Sequence, residues 1–383
     1  MKKYLLFTFL YLFIFSAESF CQFKIQDVSQ YRQSLNSKNF EVNKIKKTLF
    51  IGATDLTKYL PIGFSKKGNV DYTDYLQRGI NQNKKVILPN FPILINFKGL
   101  VLKSNSSILF QENSKLILKS NSEQLYGLLY VENIKNVNIY FAHLVGDRFS
   151  HQSDKGEWGM GVFIRSSENI KIHKPIITDM WGDGIYIGKL GSKSSKNITI
   201  TGAFINKSRR NGISIISAEN VDINNSFIAN THGTSPEFGI DIEPNSHDEI
   251  LSNIYLNNNI TFNNVGGLLF ALDKLVSPNV INNKVDIHIN DHTDNKSIKG
   301  VEFYMNRYKN NSSEKLTGVV NINNMIIKNS KQPVINNKGY RVQTNLNFKN
   351  LNIDGQNVTQ NLIDGFKKSF NNGVHSNIKN IKN

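Results

Sequence analysis

The most regular feature of the chain is a short apolar pattern that returns every 23 to 34 residues. A glycine is followed by an apolar residue, any residue and a second apolar residue. The pattern begins at Gly127, Gly161, Gly184, Gly212, Gly239, Gly267 and Gly300. Such alternation is typical of a strand that buries one face. Self-similarity at this period predicts a solenoid of stacked coils.

Two more short strands follow in each repeat. The second begins with asparagine, at Asn136, Asn169, Asn197, Asn220 and Asn253, and the third is a short apolar segment that begins at Pro175, Ala203, Ser226 and Asn259. Coils of three strands, stacked ~4.8 Å apart, bury a continuous apolar column. We therefore predict an all-β chain with one domain, a right-handed parallel β-helix solenoid over residues 65–360.

Asparagine pairs recur between the second and third strands. They are Asn224-Asn225, Asn257-Asn258 and Asn323-Asn324. Asparagine tolerates the left-handed backbone of a tight bend, and its amide can stack in ladders. We interpret these asparagines as structural residues rather than as ligands.

A short helix and a strand precede the repeats. Asp71-Tyr-Thr-Asp-Tyr-Leu-Gln-Arg-Gly-Ile80 reads as a helix with Thr73 or Asp74 as its N-cap, and Lys85-Val-Ile-Leu-Pro89 as the strand. This opening resembles the N-terminal cap of the pectin-lyase-like superfamily, in its polygalacturonase-like and pectate-lyase-like branches. The resemblance covers roughly residues 65–360 and implies the β-helix fold, with the helix closing one end of the apolar column.

The resemblance does not name a reaction, because this fold carries hydrolases, lyases, epimerases and non-catalytic spikes. The Asn-Thr-Asp, Asp-Asp, Gly-His-Gly and Arg-Ile-Lys segments of polygalacturonases are not found intact. Galacturonan is therefore not implied as the substrate.

The first 21 residues read as a secretory signal peptide. A Lys2-Lys3 pair precedes an apolar run over residues 4–15, and small residues lead to Cys21, the only cysteine. We expect cleavage after Cys21, and a lipid anchor on that cysteine is the alternative. Either route predicts a secreted, periplasmic or cell-surface protein. Its mature chain lacks disulfides and depends on burial and hydrogen bonds.

Residues 22–64 are interpreted as an N-terminal extension and residues 361–383 as a C-terminal tail, with a helix expected over 361–370. The formal charge is +16, and the basic residues are dispersed rather than clustered. Clustered basic tracts with aromatics would indicate nucleic acid, which we do not expect as a partner. Dispersed charge fits an acidic polysaccharide, and equally a plain basic surface. No integral membrane segment is expected after signal removal.

The outward positions of the glycine strands predict the functional face. Stacking places them in two columns. The first contains Phe163, Tyr186, Ser214, Asp241, Leu269 and Glu302, and the second Arg165, Gly188, Ile216, Glu243, Ala271 and Tyr304. Longer loops at residues 146–159, 208–211 and 231–237 precede strands on this face. We expect these loops to form the walls of a groove.

Asp241, Glu243 and Asp183 are the predicted catalytic residues. Asp241 and Glu243 are two residues apart on one strand, so they point the same way with Cα atoms ~6.5 Å apart. That spacing suits an inverting glycosidase, in which one acid protonates the leaving oxygen and another activates water. Ordinary solvated charges are the alternative for the pair, and a Gly-Asp-Gly turn is the alternative for Asp183. A calcium site formed by the three acids also stays open.

Eight residues near the expected groove are predicted to bind substrate: Arg209, Arg210, His232, Tyr186, Trp181, Trp158, Glu157 and Arg165. Guanidinium groups can fork onto the carboxylate or sulfate of an acidic sugar, and flat aromatic rings can stack on sugars. Salt bridges to neighbouring acids and buried loop anchors are the alternatives. His151 and His232 are candidate proton carriers, or incidental loop residues.

Three function classes remain. A glycoside hydrolase would use the paired carboxylates and no cofactor. A lyase or uronate epimerase would take the proton beside a uronate carboxylate with Arg209, Arg210, His232 or Tyr186, helped by calcium or a second arginine. A non-catalytic glycan-binding or surface β-helix is the third class. No zinc-protease, serine-hydrolase or phosphate-loop motif is present.

Overall fold

A computed structural model describes residues 23–33, 35–275, 282–304, 315–337, 344–354, 356–357 and 378–380. Three sheets run the length of this region, and their strands come in turn along the chain. The fold is the predicted parallel β-helix. The predicted signal peptide and the helix expected over 361–370 lie outside the described residues.

The glycine sheet carries the glycine pattern. Its nine strands are Leu100–Val101, Leu125–Glu132, Trp158–Arg165, Ile185–Gly188, Ile213–Ile215, Phe238–Ile242, Gly266–Ala271, Lys299–Tyr304 and Gln332–Asn337.

The asparagine sheet carries the second pattern. Its twelve strands are Thr54–Asp55, Lys85–Ile87, Ser106–Leu109, Lys135–Tyr140, Glu168–His173, Ser195–Thr201, Ala218–Asn224, Leu251–Asn257, Asn282–Asn290, Lys315–Asn323, Asn345–Lys349 and Ile378–Asn380.

The third sheet is made of short strands. They are Pro92–Ile95, Lys115–Leu118, His143–Val145, Ile176–Thr178, Phe204–Asn206, Phe227–Ala229, Ile260–Phe262, Thr293–Asn295, Ile326–Lys328, Asn352–Ile353 and Gln356–Asn357. The last two strands pair antiparallel, and the other pairs of neighbouring strands in this sheet are parallel.

The predicted columns are confirmed by the strand register. Tyr186 pairs with Phe163 and with Ser214, and Asp241 pairs with Ser214 and with Leu269. The apolar residues that alternate with these outward residues point inward and join one long core cluster. Six of the seven glycine repeats therefore stack as the pattern predicts.

The first glycine repeat is shifted by one residue. Gly127 pairs with Met160 rather than with Gly161, and Leu129 takes the place opposite Val162. The prediction for this repeat was wrong because Leu128 and Leu129 are both apolar, and alternation cannot choose between two adjacent leucines.

The asparagines at the second pattern and at the bends are structural, as predicted. The five pattern asparagines have φ between +54° and +58°, and each one donates its amide to the asparagine of the coil before. Asn225, Asn258 and Asn324 also adopt left-handed backbone at the bends. A side chain that accepts this conformation and also forms a ladder explains the choice of asparagine.

The structure has two helices, both in the N-terminal part of the described residues. Helix α1 spans Leu35–Leu49 and helix α2 spans Thr73–Gln82; short 3-10 turns lie at Ser29–Tyr31, Leu56–Tyr59 and Asp273–Leu275. Helix α2 is the predicted cap helix, but its capping side chain is Asp71, which accepts the backbone N–H of Thr73 at 3.0 Å. The N-cap residue itself is Tyr72, so the prediction of Thr73 or Asp74 was wrong by one or two positions. None of the described helices has the length and apolarity needed to cross a lipid bilayer.

The segment before α1 was not predicted to have structure. Residues Phe23–Gln33, which we call the strap, lie along the outer face of the third sheet. Val28 packs there with Ile176, Phe204 and Phe227. Gln26 exchanges two backbone hydrogen bonds with the side chain of Asn230, 204 positions away in the sequence.

Candidate functional site

A groove of about 540 Å³ lies on the outer face of the glycine sheet. Its lining residues are Leu125, Glu157, Trp158, Met160, Phe163, Arg165, Tyr186, Arg210, Ile216, Ser235, Pro236, Glu243, Asn245 and Lys274. The predicted loops at 146–159, 208–211 and 231–237 each supply part of this lining. The groove therefore forms at the place that the loop insertions indicated.

Asp241 lies beneath the groove and is fully buried. Its side chain points away from the apolar column, as predicted, but Asn211 covers it and donates to Oδ2 at 2.8 Å. Oδ1 accepts no hydrogen bond from a donor in the described part of the chain. A proton on Asp241 lets this oxygen donate to Glu243 instead.

Burial raises the pKa of Asp241 well above its usual range, and the negative charge of Glu243 raises it further. Arg210 opposes both effects without cancelling them. Desolvation disfavours the charged form of a carboxyl, and two adjacent carboxyls seldom ionise together. Asp241 therefore keeps its proton to a higher pH than an ordinary aspartic acid does, beside a second carboxyl group at Glu243.

Glu243 is the member of the pair that reaches the groove, with 21% of its side chain exposed. It lies 3.3 Å from the ammonium group of Lys274 and 3.6 Å from the guanidinium group of Arg210. Sequence reasoning missed Lys274, which belongs to a 3-10 turn one coil further on.

Arg210 lies within 4 Å of three carboxylates. Its Nη1 lies 3.0 Å from Oδ2 of Asp183, its Nη2 3.6 Å from Glu243, and its Nε 3.8 Å from Glu157. Burial alone lowers the pKa of a guanidinium group, but the surrounding carboxylates raise the pKa of Arg210 above its usual value. Arg210 therefore stays charged and fixes the acids around itself.

Asp183 is an anchor for this arrangement. It is fully buried, and it accepts the backbone N–H of Asn211 at 3.0 Å and the hydroxyl of Ser214 at 2.8 Å as well as Arg210. Burial raises the pKa of Asp183, and Arg210 and these donors act against that shift. Asp183 holds the loop of Arg210 and Asn211 over Asp241.

Glu157 and Glu243 face the groove from the two sides of Arg210. Because both carboxylates lie within 4 Å of one guanidinium group, they are at most about 10 Å apart, a limit that admits both the inverting and the shorter retaining separation of glycosidase acids. The Glu157 side chain is 35% exposed. Both carboxylates are accessible to a ligand in the groove, whereas Asp241 and Asp183 are not.

Tyr186 and Trp158 supply the aromatic surface of the groove. Trp158 is 43% exposed, and Tyr186 packs edge-on against Phe163 with ring centroids 5.1 Å apart. Burial raises the pKa of Tyr186 to about 12, and Asp183 adds to the shift. Arg165 also lines the groove, where it lies over the Phe163 ring at 4.1 Å and pairs with Glu132.

The three acids do not suit a calcium ion. Calcium needs six to eight oxygen ligands around one point, but the guanidinium group of Arg210 lies between Asp183 and Glu243, and Asp241 is fully buried beneath Asn211. Within the described ranges, no group of three or more His, Cys, Asp and Glu side chains could hold a metal ion.

Three of the predicted substrate-binding residues, Arg209, Trp181 and His232, do not line the groove. Trp181 is 8% exposed and is sandwiched between His151, at a ring distance of 4.0 Å, and Arg209, at 3.7 Å. Arg209 donates to the backbone oxygen of Gly156 at 3.0 Å. Both residues therefore support the loop that carries Glu157.

His151 is also buried, and its Nδ1 lies 2.8 Å from Oδ2 of Asp147. Asp147 accepts further hydrogen bonds from Asn121 and Tyr126. His232 contacts Arg148 with both ring nitrogens, and burial lowers the pKa of His232 to about 4. The two histidines thus anchor loops of the groove wall.

No protein-family model matches the chain. A 160-residue segment is 31% identical to the uncharacterized protein YclG of Bacillus subtilis (strain 168), over 38% of this chain and 27% of that protein. The match thus spans only about a quarter of that relative's length.

Solved structures with the same fold cover more of the chain. An iota-carrageenase complexed to iota-carrageenan fragments has a TM-score of 0.56 and 13% identity, over 73% of this chain and 74% of the other. The polygalacturonase of Erwinia carotovora has a TM-score of 0.54 and 14% identity, over 76% of this chain and 94% of the other.

The A-module of mannuronan C-5 epimerase AlgE4 from Azotobacter vinelandii has a TM-score of 0.51 and 15% identity, over 78% of this chain and 88% of the other. These proteins are pectin-lyase-like right-handed β-helices. The predicted resemblance to that superfamily is confirmed for the fold, which is what identities this low can show.

Proposed function

We propose that this protein is an exported glycoside hydrolase that cuts a polysaccharide in the groove over the glycine sheet. The observation that carries the proposal is the pairing of the fully buried Asp241, whose pKa burial raises, with the groove-facing Glu243. General acid catalysis at neutral pH needs a carboxyl group that keeps its proton, and burial beside a second carboxyl is the usual means.

Glu243 is the proposed proton donor. The proton that Asp241 shares with Glu243 passes through Glu243 to the glycosidic oxygen, and the bond from that oxygen to the anomeric carbon breaks. Glu157, on the other side of Arg210, takes a proton from the water that attacks the anomeric carbon. Because water attacks the anomeric carbon directly in this scheme, the configuration of the product is inverted.

Asp183 and Arg210 act as positioning residues in this proposal. Arg210 fixes the distance between Glu157 and Glu243, and Asp183 holds Arg210. Trp158 provides a flat apolar face on which a sugar ring can stack. Arg165 and Lys274 give the groove positive charge, which suits an acidic or sulfated glycan.

Similarity to known structures supports the proposal through the fold. The solved relatives are named for action on mannuronan, iota-carrageenan and polygalacturonan. The predicted signal peptide supports export to the periplasm, the cell surface or the medium.

A lyase or epimerase is the second candidate, because Tyr186 lies in the groove with Arg210. A tyrosine can exchange the proton beside a uronate carboxylate while an arginine neutralises that carboxylate. The pKa of about 12 for Tyr186 disfavours the phenolate that such a base requires. Hydrolysis is therefore the better supported reaction.

The test is to incubate the purified protein with neutral, uronic and sulfated polysaccharides while reducing ends and ultraviolet absorbance are recorded together. A hydrolase produces reducing ends alone, whereas a lyase also produces an absorbing unsaturated sugar. Nuclear magnetic resonance of the first product then gives the anomer, which we expect to be inverted.

Variants identify the acids. Glu243→Gln and Glu157→Gln should each lower turnover by about 10²-fold or more, the usual contribution of an acid or base. Glu219→Gln is the matched control, because Glu219 pairs with Lys196 on the asparagine sheet, away from the groove. Wild-type turnover in Glu243→Gln would contradict the proposed role of Glu243.

A further inference from the structure

The strap ends against one wall of the groove. The ring of Phe23 stacks on the ring of His232, with centroids 4.2 Å apart and an interplanar angle of 24°. His232 belongs to residues 231–237, which we call the wall loop, and Ser235 and Pro236 of that loop line the groove. The N-terminal segment and the groove thus share one contact.

The ring of His232 is held by two side chains, those of Arg148 and Phe23. Arg148 holds one side of the ring and also donates to the backbone oxygens of Lys207, at 2.8 Å, and Ser208, at 3.1 Å. Phe23 stacks against the ring and completes its packing. Removing Phe23 leaves the ring held by Arg148 and by the backbone.

The wall loop is in turn hydrogen-bonded to residues 208–211, the groove loop of the coil before. The backbone N–H of Thr234 donates to the carbonyl oxygen of Arg209 at 2.9 Å. Arg209 stacks on Trp181 and holds Gly156, the neighbour of Glu157. A displacement of the wall loop therefore moves Ser235 and Pro236 of the groove lining, and its connection through Arg209 reaches the residue that precedes Glu157.

The rest of the strap is anchored independently of this contact. Tyr31 stacks on Phe227 with ring centroids 4.3 Å apart, and Val28 is buried among the aromatic residues of the third sheet. Gln26 and Lys24 are held by Asn230 and Asn263. The strap stays in place when Phe23 is replaced, so the effect of Phe23 can be measured alone.

We propose that Phe23 is a positioning residue, and that the strap uses it to fix the wall loop in the conformation that binds substrate. The inference rests on the proposed function, because it assigns the groove a ligand. Phe23 contacts His232, which does not line the groove, so we expect it to act on the binding of substrate and not on the chemical step.

The test compares three variants of the full chain by hydrogen–deuterium exchange and by kinetics. Phe23→Ala should raise amide exchange in residues 231–237 at least threefold. It should also raise KM severalfold on whichever polysaccharide is cut, with kcat within twofold. Phe23→Tyr keeps the stacking ring and should restore both values. Tyr31→Ala, the matched control, removes the ring contacts of the strap with Phe227 and Phe262 but should leave exchange in 231–237 unchanged.

Unchanged exchange of the wall loop in Phe23→Ala would overturn the inference, as would a rise of equal size in Tyr31→Ala. The exchange measurement needs no substrate. If it rises as expected while no polysaccharide is cut, the positioning of the wall loop stands and the proposed hydrolase fails.

Discussion

Asp294 lies inside the solenoid, where no substrate can reach it, and it should make the protein less stable at neutral than at acidic pH. Its Oδ1 accepts the hydroxyls of Thr261 at 2.7 Å and Ser297 at 2.6 Å. Its Oδ2 has no partner among the described residues. Burial raises the pKa of Asp294 to about 7, from an ordinary value of 3.8.

The size of the effect follows from the two pKa values. Below pH 4 the group is protonated in both the folded and the unfolded chain, so it does not affect stability. Between pH 4 and 7 only the unfolded chain ionises, and the free energy of unfolding falls by about 1.4 kcal/mol per pH unit. Above pH 7 both states are ionised, and the loss levels off near 4 kcal/mol.

Asp294→Asn removes this titration and keeps an oxygen for both hydroxyl donors. The amide nitrogen costs about 1–3 kcal/mol if it finds no acceptor, but that cost is the same at every pH. We therefore expect the stability of the variant relative to wild type to rise by about 4 kcal/mol between pH 4 and pH 7. It should then stay constant to pH 9.

The assay is urea unfolding of both proteins at several pH values between 4 and 9, followed by circular dichroism. Asp222→Asn is the control, because Asp222 is exposed on the outer face of the asparagine sheet. Its effect should stay within about 0.5 kcal/mol at each pH. A difference between Asp294→Asn and wild type that is equal at pH 4 and pH 8 would refute the reasoning.

The remaining predictions concern three other positions. Asp241→Asn should raise the melting temperature more at pH 8 than at pH 4, because it removes another carboxyl whose pKa burial raises. A shift in melting temperature that is the same at both pH values would contradict this reason. The same variant should also lower turnover. Gly212→Ala would place Cβ 2.2 Å from Ile228 and 2.4 Å from the backbone oxygen of Gly239. It should cost about 2–3 kcal/mol in urea unfolding, and an unchanged midpoint would count against the packing described. Asn220 has φ +58°, so Asn220→Ala should cost about 1–2 kcal/mol in backbone strain, which Asn220→Gly avoids. Equal urea midpoints for the two variants would contradict this strain.

The amino-acid pattern was sufficient for the fold and for the columns of the glycine sheet. Glycine and asparagine recur at fixed places because each coil repeats the same bends. Alternation then tells which side chains leave the apolar column. That logic placed Tyr186, Ser214 and Asp241 in one column, as the register confirms. It failed at Gly127, where adjacent leucines satisfy both registers equally.

Alternation predicts whether a side chain points outward, but not whether it is exposed. Only the tertiary structure decided how deeply each outward side chain is buried. Asp241 points outward as predicted, yet it is fully buried because the loop of Arg210 and Asn211 folds over it. Trp181 and His232 lie under the groove wall for the same reason. Local alternation has no information about the path of a loop above a strand.

The strap shows the same limit over a longer range. Its contacts with Asn230 and His232 join residues more than 200 positions apart, and no pattern within residues 23–33 indicates them. The repeats determine a sheet whose outer face carries Phe204, Phe227 and Phe262, and what covers that face depends on packing between distant segments. The sequence by itself thus determined the solenoid and the face on which the groove lies, and tertiary packing decided which acids reach the groove and what holds its walls.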